Sequence, residues 1–542
     1  MKIAFSAKMR CDVLVVGGGG AGIRAALTAW QEGCDTLLLC DGEIGESGST
    51  FYPLSPEWGI MFAEGKQDAE AFYKQILDSA GPCMDPELAR LLVQESEACF
   101  SKLQKEGLPF LPHRDMGLVG CFGKDARGAV LMDRESAVSS WRKALLNGKG
   151  LRVLTEWQVV SVLEHNGQAA GVVAVNRKGE LLLAEASVVI LATGGGEGLY
   201  QHSFSHGPLY GVAYAMAGRH GARMTNLEFI QFINGTVAPV AGLNYYQFAF
   251  QEQPLLTNGR GEAFLDRHLP HNVTAEQCVA LRARHGPFCM EDDSRFFDLA
   301  IVKEHEDGNG FGAIVTPNPD RLTGLRYAHW RQFLKKVGFE TSTPMTIYPF
   351  CQGFNGGIRI RPDMSTDLPG LYACGEAAGG CHGSNRMGGN AILGTQVFGM
   401  LAARAACGFH SKRQHVRVEE DVARQCVEKE FDCESARASP QEILHEIKQT
   451  MQHHCFLRRS GAGLIQAAGR LSQMSVRPLD WLGKPDVQSA FQARNALDAA
   501  RLIVVSMLRR KESRGGHYRV DFPQHREEYA RLMYTTMEDI QI

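Results

Sequence analysis

Arg386 is the residue of this chain whose type and surroundings point most directly to chemistry. It stands in a glycine-dense run, GEAAGGCHGSNRMGGN (residues 375–390), with Glu376, His382 and Asn385. Glycine at that density lets main chain touch a flat ligand, and the N–H groups that open a helix favour electron-rich atoms. The run is entered from the apolar segment LYAC and left through AILGTQ, which reads as a helix start. Gly375, Glu376, Asn390 and Ile392 are therefore expected against the face of a cofactor. The planar fork of Arg386 suits a carboxylate. On residue type alone, a cofactor phosphate or a core carboxylate remains an alternative partner.

Other elements must bring a cofactor to this run. DVLVVGGGGAG (12–22) is an apolar strand, a glycine turn and the start of an Ala-rich helix, the order required of a dinucleotide fingerprint. Gly17 allows the tight turn, Gly19 lets backbone approach a pyrophosphate, Gly20 and Ala21 open the helix, and Gly22 lets it pack on the sheet. A second strand, TLLLC (36–40), ends at Asp41, where an acid meets a ribose in such domains, although Cys40 is equally placed for the strand tip. In the loop 42–56, Ser47, Ser49 and Thr50 either bond cofactor oxygens or face water. Residues 151–193 read as a β-meander closing on a parallel strand, with Asn166-Gly167 and Lys178-Gly179 turns, and Val160 is assigned to the cofactor-binding main chain. The meander runs into Ala192, Thr193 and Gly194. A second glycine turn far from the first is the sign of a large flavin-binding domain of the two-dinucleotide type, so FAD is the expected cofactor.

The 542 residues, 44% of them hydrophobic, are enough for several cores. The fold expected is α/β: an FAD-binding Rossmann domain of the two-dinucleotide type (1–226 and 346–411), an inserted α+β capping domain (227–345) and a C-terminal helical domain (412–542). In the last, three helix-period segments (441–449, 461–474 and 486–511) precede an irregular tail. A net charge of -3 without charge runs argues against nucleic-acid partners. Fifteen cysteines without a CxxC pair read as buried thiols in a reducing cytoplasm, with no metal or cluster ligand set. The first ten residues lack the apolar core of a signal peptide, and no uninterrupted apolar segment reaches the ~18–20 residues of a span. A cytoplasmic protein with no direct membrane span is expected.

Together with ESGST (46–50), ATGGG (192–196), RGE (260–262), NGGI (355–358) and SRGGHYRVDFP (513–523), these pieces make the chain resemble the fumarate reductase and succinate dehydrogenase flavoprotein family, which includes L-aspartate oxidase. The resemblance covers nearly the whole chain. It implies a mobile cap and noncovalent FAD, since Ser49 stands where flavin-tethering members carry a histidine. It also implies that Arg260, from the cap, exchanges a proton beside flavin N5, that Arg386 binds a substrate carboxylate, that His382 of the HGxNR motif orders the catalytic loop, and that Glu376 bonds the ribityl chain. An arginine needs a desolvated site and a relay to move protons.

The chain departs from the family pattern at three places. The histidine of the family's EFxQYHPT segment falls on Ile233, the second substrate histidine falls on Gln352, and the TEG run before the catalytic arginine reads Thr257-Asn258-Gly259. The expected activity is hydride transfer between flavin N5 and a carbon–carbon bond next to a carboxylate, on a substrate other than a standard C4 dicarboxylate. An amino-acid oxidase like L-aspartate oxidase is one alternative. A flavoprotein component that passes electrons to an external carrier or an iron–sulfur partner is the other.

Overall fold

Valines and leucines in an unbroken run favour a strand buried on both faces, the environment of a parallel sheet. The opening strand, Phe5–Val16, has Val13 to Val16 at most 3% exposed. It pairs in parallel with Thr36–Leu39 on one side and with Leu181–Leu191 on the other. The computed structural model describes residues 3–55, 57–110, 129–321, 325–412, 417–433 and 438–541; the last residue of the loop 42–56 lies outside them. Arg152–Leu154 extends the sheet at one edge, and the antiparallel meander Trp157–His165, Gln168–Asn176 and Leu181–Leu191 extends it at the other. Leu371–Ala373 joins in parallel to the end of Leu181–Leu191.

That register builds the site. Val16 lies opposite Leu191, and Leu191 lies opposite Ala373, so three parallel strands end side by side. Each runs directly into one of the glycine turns, at Gly17, Gly194 and Gly375, all with positive φ. Ligands of open α/β sheets bind beyond the carboxyl ends of their strands.

The cap is an antiparallel sheet of Ile230–Ala238, Met345–Phe354, Ala313–Thr316 and Leu255–Asn258, in that order. Its sheet includes Met345–Phe354, so the chain leaves the cap after Phe354, beyond the boundary at residue 345 expected from sequence. Arg282 donates to Asp298 at 2.7 Å, and Asn234 donates to the same carboxylate at 2.9 Å, which ties the helices Ala275–Arg282 and Arg295–Glu306 to the sheet.

Among the described residues, four α-helices, where three were expected, form the C-terminal body: Glu420–Phe431, Pro440–His454, Gly461–Gln473 and Val487–Arg509. The additional one places Ala423, Val427 and Phe431 on one stripe against the meander, a spacing its charged residues disguise. The tail that looked irregular is buried. Arg510 pairs with Glu228 at 2.5 Å and with Glu512 at 2.9 Å, and neither Arg510 nor Glu512 is exposed.

One helix among the described residues, Asn390–His410, is long and apolar enough to cross a membrane, contrary to the reading of the uninterrupted run. Its apolar length packs against Gly20–Gln31, so closely that a side chain at Gly399 would meet the Ala21 carbonyl at 2.8 Å.

Candidate functional site

The three glycine turns line a trough with two compartments. The first, about 140 Å³, is walled by Gly17, Gly19, Gly20 and Ala21 from the first turn, by Asp41 and Ser47, and by Ala192, Thr193 and Gly194. The second, about 190 Å³, holds Gly375, His382, Arg386 and Ile392. Ser49, Thr50, Glu376 and Thr395 line both, so one elongated ligand can run through them.

The first compartment fits an FAD. A side chain at Gly17 would lie 2.4 Å from the Ala192 carbonyl, and one at Gly22 would lie 1.8 Å from the Gly17 carbonyl, whereas one at Gly19 would meet nothing within 4 Å. Gly17 and Gly22 are thus demanded by packing, and Gly19 by the space before it. The helix Gly20–Gln31 has no side-chain cap, which leaves its first N–H groups for an anion. Thr193 Oγ1 and both polar atoms of Gln158 are buried and lack partners among the described residues. Buried polar atoms seldom stay unpaired, and these line the compartment. Burial raises Asp41 above its ordinary value, opposed by a hydrogen bond that Gln492 donates at 3.3 Å.

Two expected positions differ. Val160 turns away from the trough into the cluster of Val427 and Phe491, because the strand register shifts between Val159 and Ser161 and leaves Val160 as the bulged residue. Gln158 and Val159 line the compartment instead. Asn390 opens its helix, buried, with Oδ1 unpartnered among the described residues, but does not line either compartment.

In the second compartment, the loop that carries Arg386 is held from three sides. Ser384 donates to the Ala80 carbonyl from both its N–H (2.8 Å) and its hydroxyl (3.0 Å). Gln231 donates to the Arg386 carbonyl at 3.0 Å, and Gly516 N–H donates to the Ser384 carbonyl at 3.1 Å. The tail glycines can approach this closely because a side chain at Gly515 would meet that carbonyl at 2.2 Å. Opposite Arg386 stand Ile233, Phe204 and the neutral amide of Gln352.

Burial lowers the Arg386 pKa, with the carboxyls of Glu376 and Glu197 opposing the shift. The same burial, with Arg386 beside it, pushes His382 down to about 3, so its ring is neutral at pH 7. Glu376 accepts from Phe354 N–H at 2.7 Å, and Glu197, which is fully buried, accepts from Ser49 at 3.0 Å. Both carboxyls abut Gly195, where an added side chain would lie within 3.0 Å of each. Burial raises both pKa values, and the facing Glu376 raises Glu197 further, so Glu197 holds a proton. Sequence reasoning passed over Glu197; its signal is an acid placed directly after the ATGGG turn.

Arg260 does not line either compartment. It is exposed on the cap, its guanidinium donating to the Gly308 carbonyl at 2.7 Å, and its backbone N–H bonds Asn258 Oδ1 at 3.0 Å. Asn258 is itself buried and donates to Glu304 and Glu262. The turn is anchored inside the cap, so Arg260 reaches the trough only through movement of the cap.

Comparison with known proteins agrees with this geometry. A family model described as "FAD binding domain" matches residues 12–392, and one described as "Fumarate reductase flavoprotein C-term" matches 444–540. The flavoprotein-like chain of the CoM/CoB fumarate reductase of Methanothermobacter marburgensis is 29% identical, over 96% of this chain and 96% of its own length. An L-aspartate oxidase of Vibrio cholerae is 26% identical over 95% of this chain and 96% of its own. The fold matches that of an E. coli quinol fumarate reductase chain with a TM-score of 0.79, at 21% identity over 98% of this chain and 97% of that one.

Proposed function

Because the chain belongs to the FAD-binding flavoprotein family of fumarate reductases, succinate dehydrogenases and L-aspartate oxidases, we propose that it is a FAD-dependent oxidoreductase that interconverts an α,β-unsaturated carboxylate and its saturated form. The observation that carries this reading is a buried arginine facing an apolar wall. Arg386 offers a fork to one carboxylate, and Ile233 offers no polar group to a second. The substrate is accordingly a carboxylate with an alkyl or aryl end.

Gly19, the open helix N-terminus and Thr193 would hold the pyrophosphate end of FAD, Asp41 its ribose and Glu376 its ribityl chain, without a covalent tether at Ser49. When bound, FAD supplies the hydride chemistry. Arg386 orients the substrate and draws electron density toward the carboxylate. His382, neutral, orders the loop. Arg260 serves as proton donor once the cap turns and releases its bond to Gly308; in that closed state the site is desolvated. The buried thiols support a reducing cytoplasm as the setting.

The test is anaerobic photoreduction of the FAD-loaded protein, followed by a panel of enoates, fumarate and amino acids. Reoxidation by an alkyl or aryl enoate faster than by fumarate is the expected result. Fumarate turning over as well as any of them removes the inference from Ile233 and Gln352, and peroxide release with L-aspartate replaces it with an amino-acid oxidase. A second reading rests on the Methanothermobacter relative, which is one chain of a multi-chain fumarate reductase and matches along 96% of this chain. In that reading electrons enter through a partner protein, which co-purification of a cysteine-rich chain would reveal.

A further inference from the structure

A larger cavity, about 1060 Å³, lies between the cap and the C-terminal helices and shares no lining residue with the trough. The strand Met345–Phe354 separates them, with Tyr348 lining the cavity and Gln352 the trough. Its floor is aromatic. Phe311 stacks on Tyr348 with ring centroids 4.7 Å apart, and Tyr348 stacks on Phe456 at 5.7 Å and 2°. Phe311 is 36% exposed, although it is a large apolar ring.

The walls are cationic. Arg458, Arg459 and Arg470 face a single acid among the described lining residues, Glu306, which pairs with Arg458. Two of the lining groups are buried with hydrogen bonds unmet among the described residues: Arg459, 0% exposed, lacks a partner at Nη2, and His454, 7% exposed, lacks one at Nε2. The remaining nitrogens of Arg459 are fixed by the carbonyls of Phe456 and Glu228 and by His517. An unpaired buried polar atom is costly, and two beside one cavity point to a ligand that satisfies them. Burial and His305 push His202 down to about 4, and burial with His453 and Arg470 lowers His454. The histidines are therefore neutral hydrogen-bonding groups, and the positive charge comes from the arginines.

We propose that this cleft is a second binding site, for a nucleoside phosphate, with its base on Phe311 and Tyr348 and its phosphates on Arg458, Arg470 and the unpaired atoms of Arg459 and His454. A planar ring fits the aromatic floor. Three arginines against one glutamate call for more than one negative charge, and the volume is that of a ligand larger than an aryl carboxylate. The occupant bridges two bodies, because Glu306 and Phe311 belong to the cap, and the three arginines belong to the C-terminal part. It also bears on Arg260: the same loop supplies the Gly308 carbonyl, and Gly259 packs against Gly310 and Phe311.

Calorimetric titration of the FAD-loaded protein, in which the cofactor already fills the adenosine end of the trough, tests this with ADP, adenosine and pyrophosphate. ADP should bind one to one, with adenosine and pyrophosphate each weaker by roughly tenfold or more. Arg458→Gln, Arg470→Gln and Phe311→Ala should each weaken ADP by about tenfold, with FAD content and Tm unchanged. Hydrogen exchange should slow on ADP addition in both 302–312 and 449–470. Absence of ADP binding, or binding that none of the variants alters, overturns the site. Pyrophosphate binding as tightly as ADP removes the aromatic platform, and adenosine doing so removes the phosphate subsite.

Discussion

Replacing Arg386 by alanine separates the proposed anchor from a structural role more sharply than any other change. Its guanidinium donates to the Met387 carbonyl at 3.4 Å, a long bond, while the bond from Gln231 that holds the loop is to its main-chain carbonyl and survives the substitution. Burial lowers its pKa despite Glu376 and Glu197, so the folded protein gains little from the charge. Arg386→Ala should therefore leave Tm unchanged or slightly higher. A substrate carboxylate gripped by the fork makes two charge-assisted bonds of ~1.5–3 kcal/mol each. Their loss amounts to about 3–6 kcal/mol, or roughly 10²- to 10⁴-fold in kcat/KM. Arg386→Lys, which keeps the charge without the fork, should fall between the two. The assay is steady-state turnover of the best enoate by FAD-loaded protein, with flavin content measured from absorbance. A fall below about tenfold, or one that tracks lost flavin, would show that Arg386 serves the cofactor or the loop and not the substrate.

The two outer glycines of the first turn should fail in different ways. Gly22→Ala drives a methyl group into the Gly17 carbonyl and should yield insoluble protein, whereas Gly19→Ala meets no protein atom and should fold normally yet bind FAD roughly tenfold or more weakly, read by flavin titration of the apoprotein. Glu197, raised above its ordinary 4.5 by burial and by Glu376, keeps its proton in the native state where the unfolded chain has released it. Stability should therefore fall as pH rises from about 4.5 toward the folded pKa, and level off beyond it; Glu197→Gln should flatten that decline in Tm, and an unchanged slope contradicts the protonated assignment. Ile233→His restores a polar group opposite Arg386 and should raise fumarate turnover relative to the alkyl or aryl enoate; a lower ratio would mean that Ile233 does not meet the far end of the substrate. Arg260→Ala should abolish turnover with FAD still bound, and loss of flavin instead would make Arg260 structural.

The parts of this protein legible in its sequence are those whose causes are local. A valine run, a glycine turn and an Ala-rich helix specify their own geometry within twenty residues, so the strand order Thr36–Leu39, Phe5–Val16, Leu181–Leu191 and the trough at its end follow from short segments. Where a residue's position depends on a distant partner, the sequence alone is silent. Glu197 reads as a polar residue after a turn until Ser49 and Glu376 are seen to meet it. Val160 reads as one more strand residue until the bulge turns it away. Arg260 is the most telling case. Its motif predicts a place beside the cofactor, yet the turn that carries it is anchored by Asn258 to Glu304 inside the cap, and its side chain is held by a loop that lines another cavity. A residue on a movable body has no single address. Where Arg260 acts is set by what holds the cap, and the contacts that hold it are drawn from the cap and from the C-terminal helices, more than two hundred residues beyond the first strand of the fold.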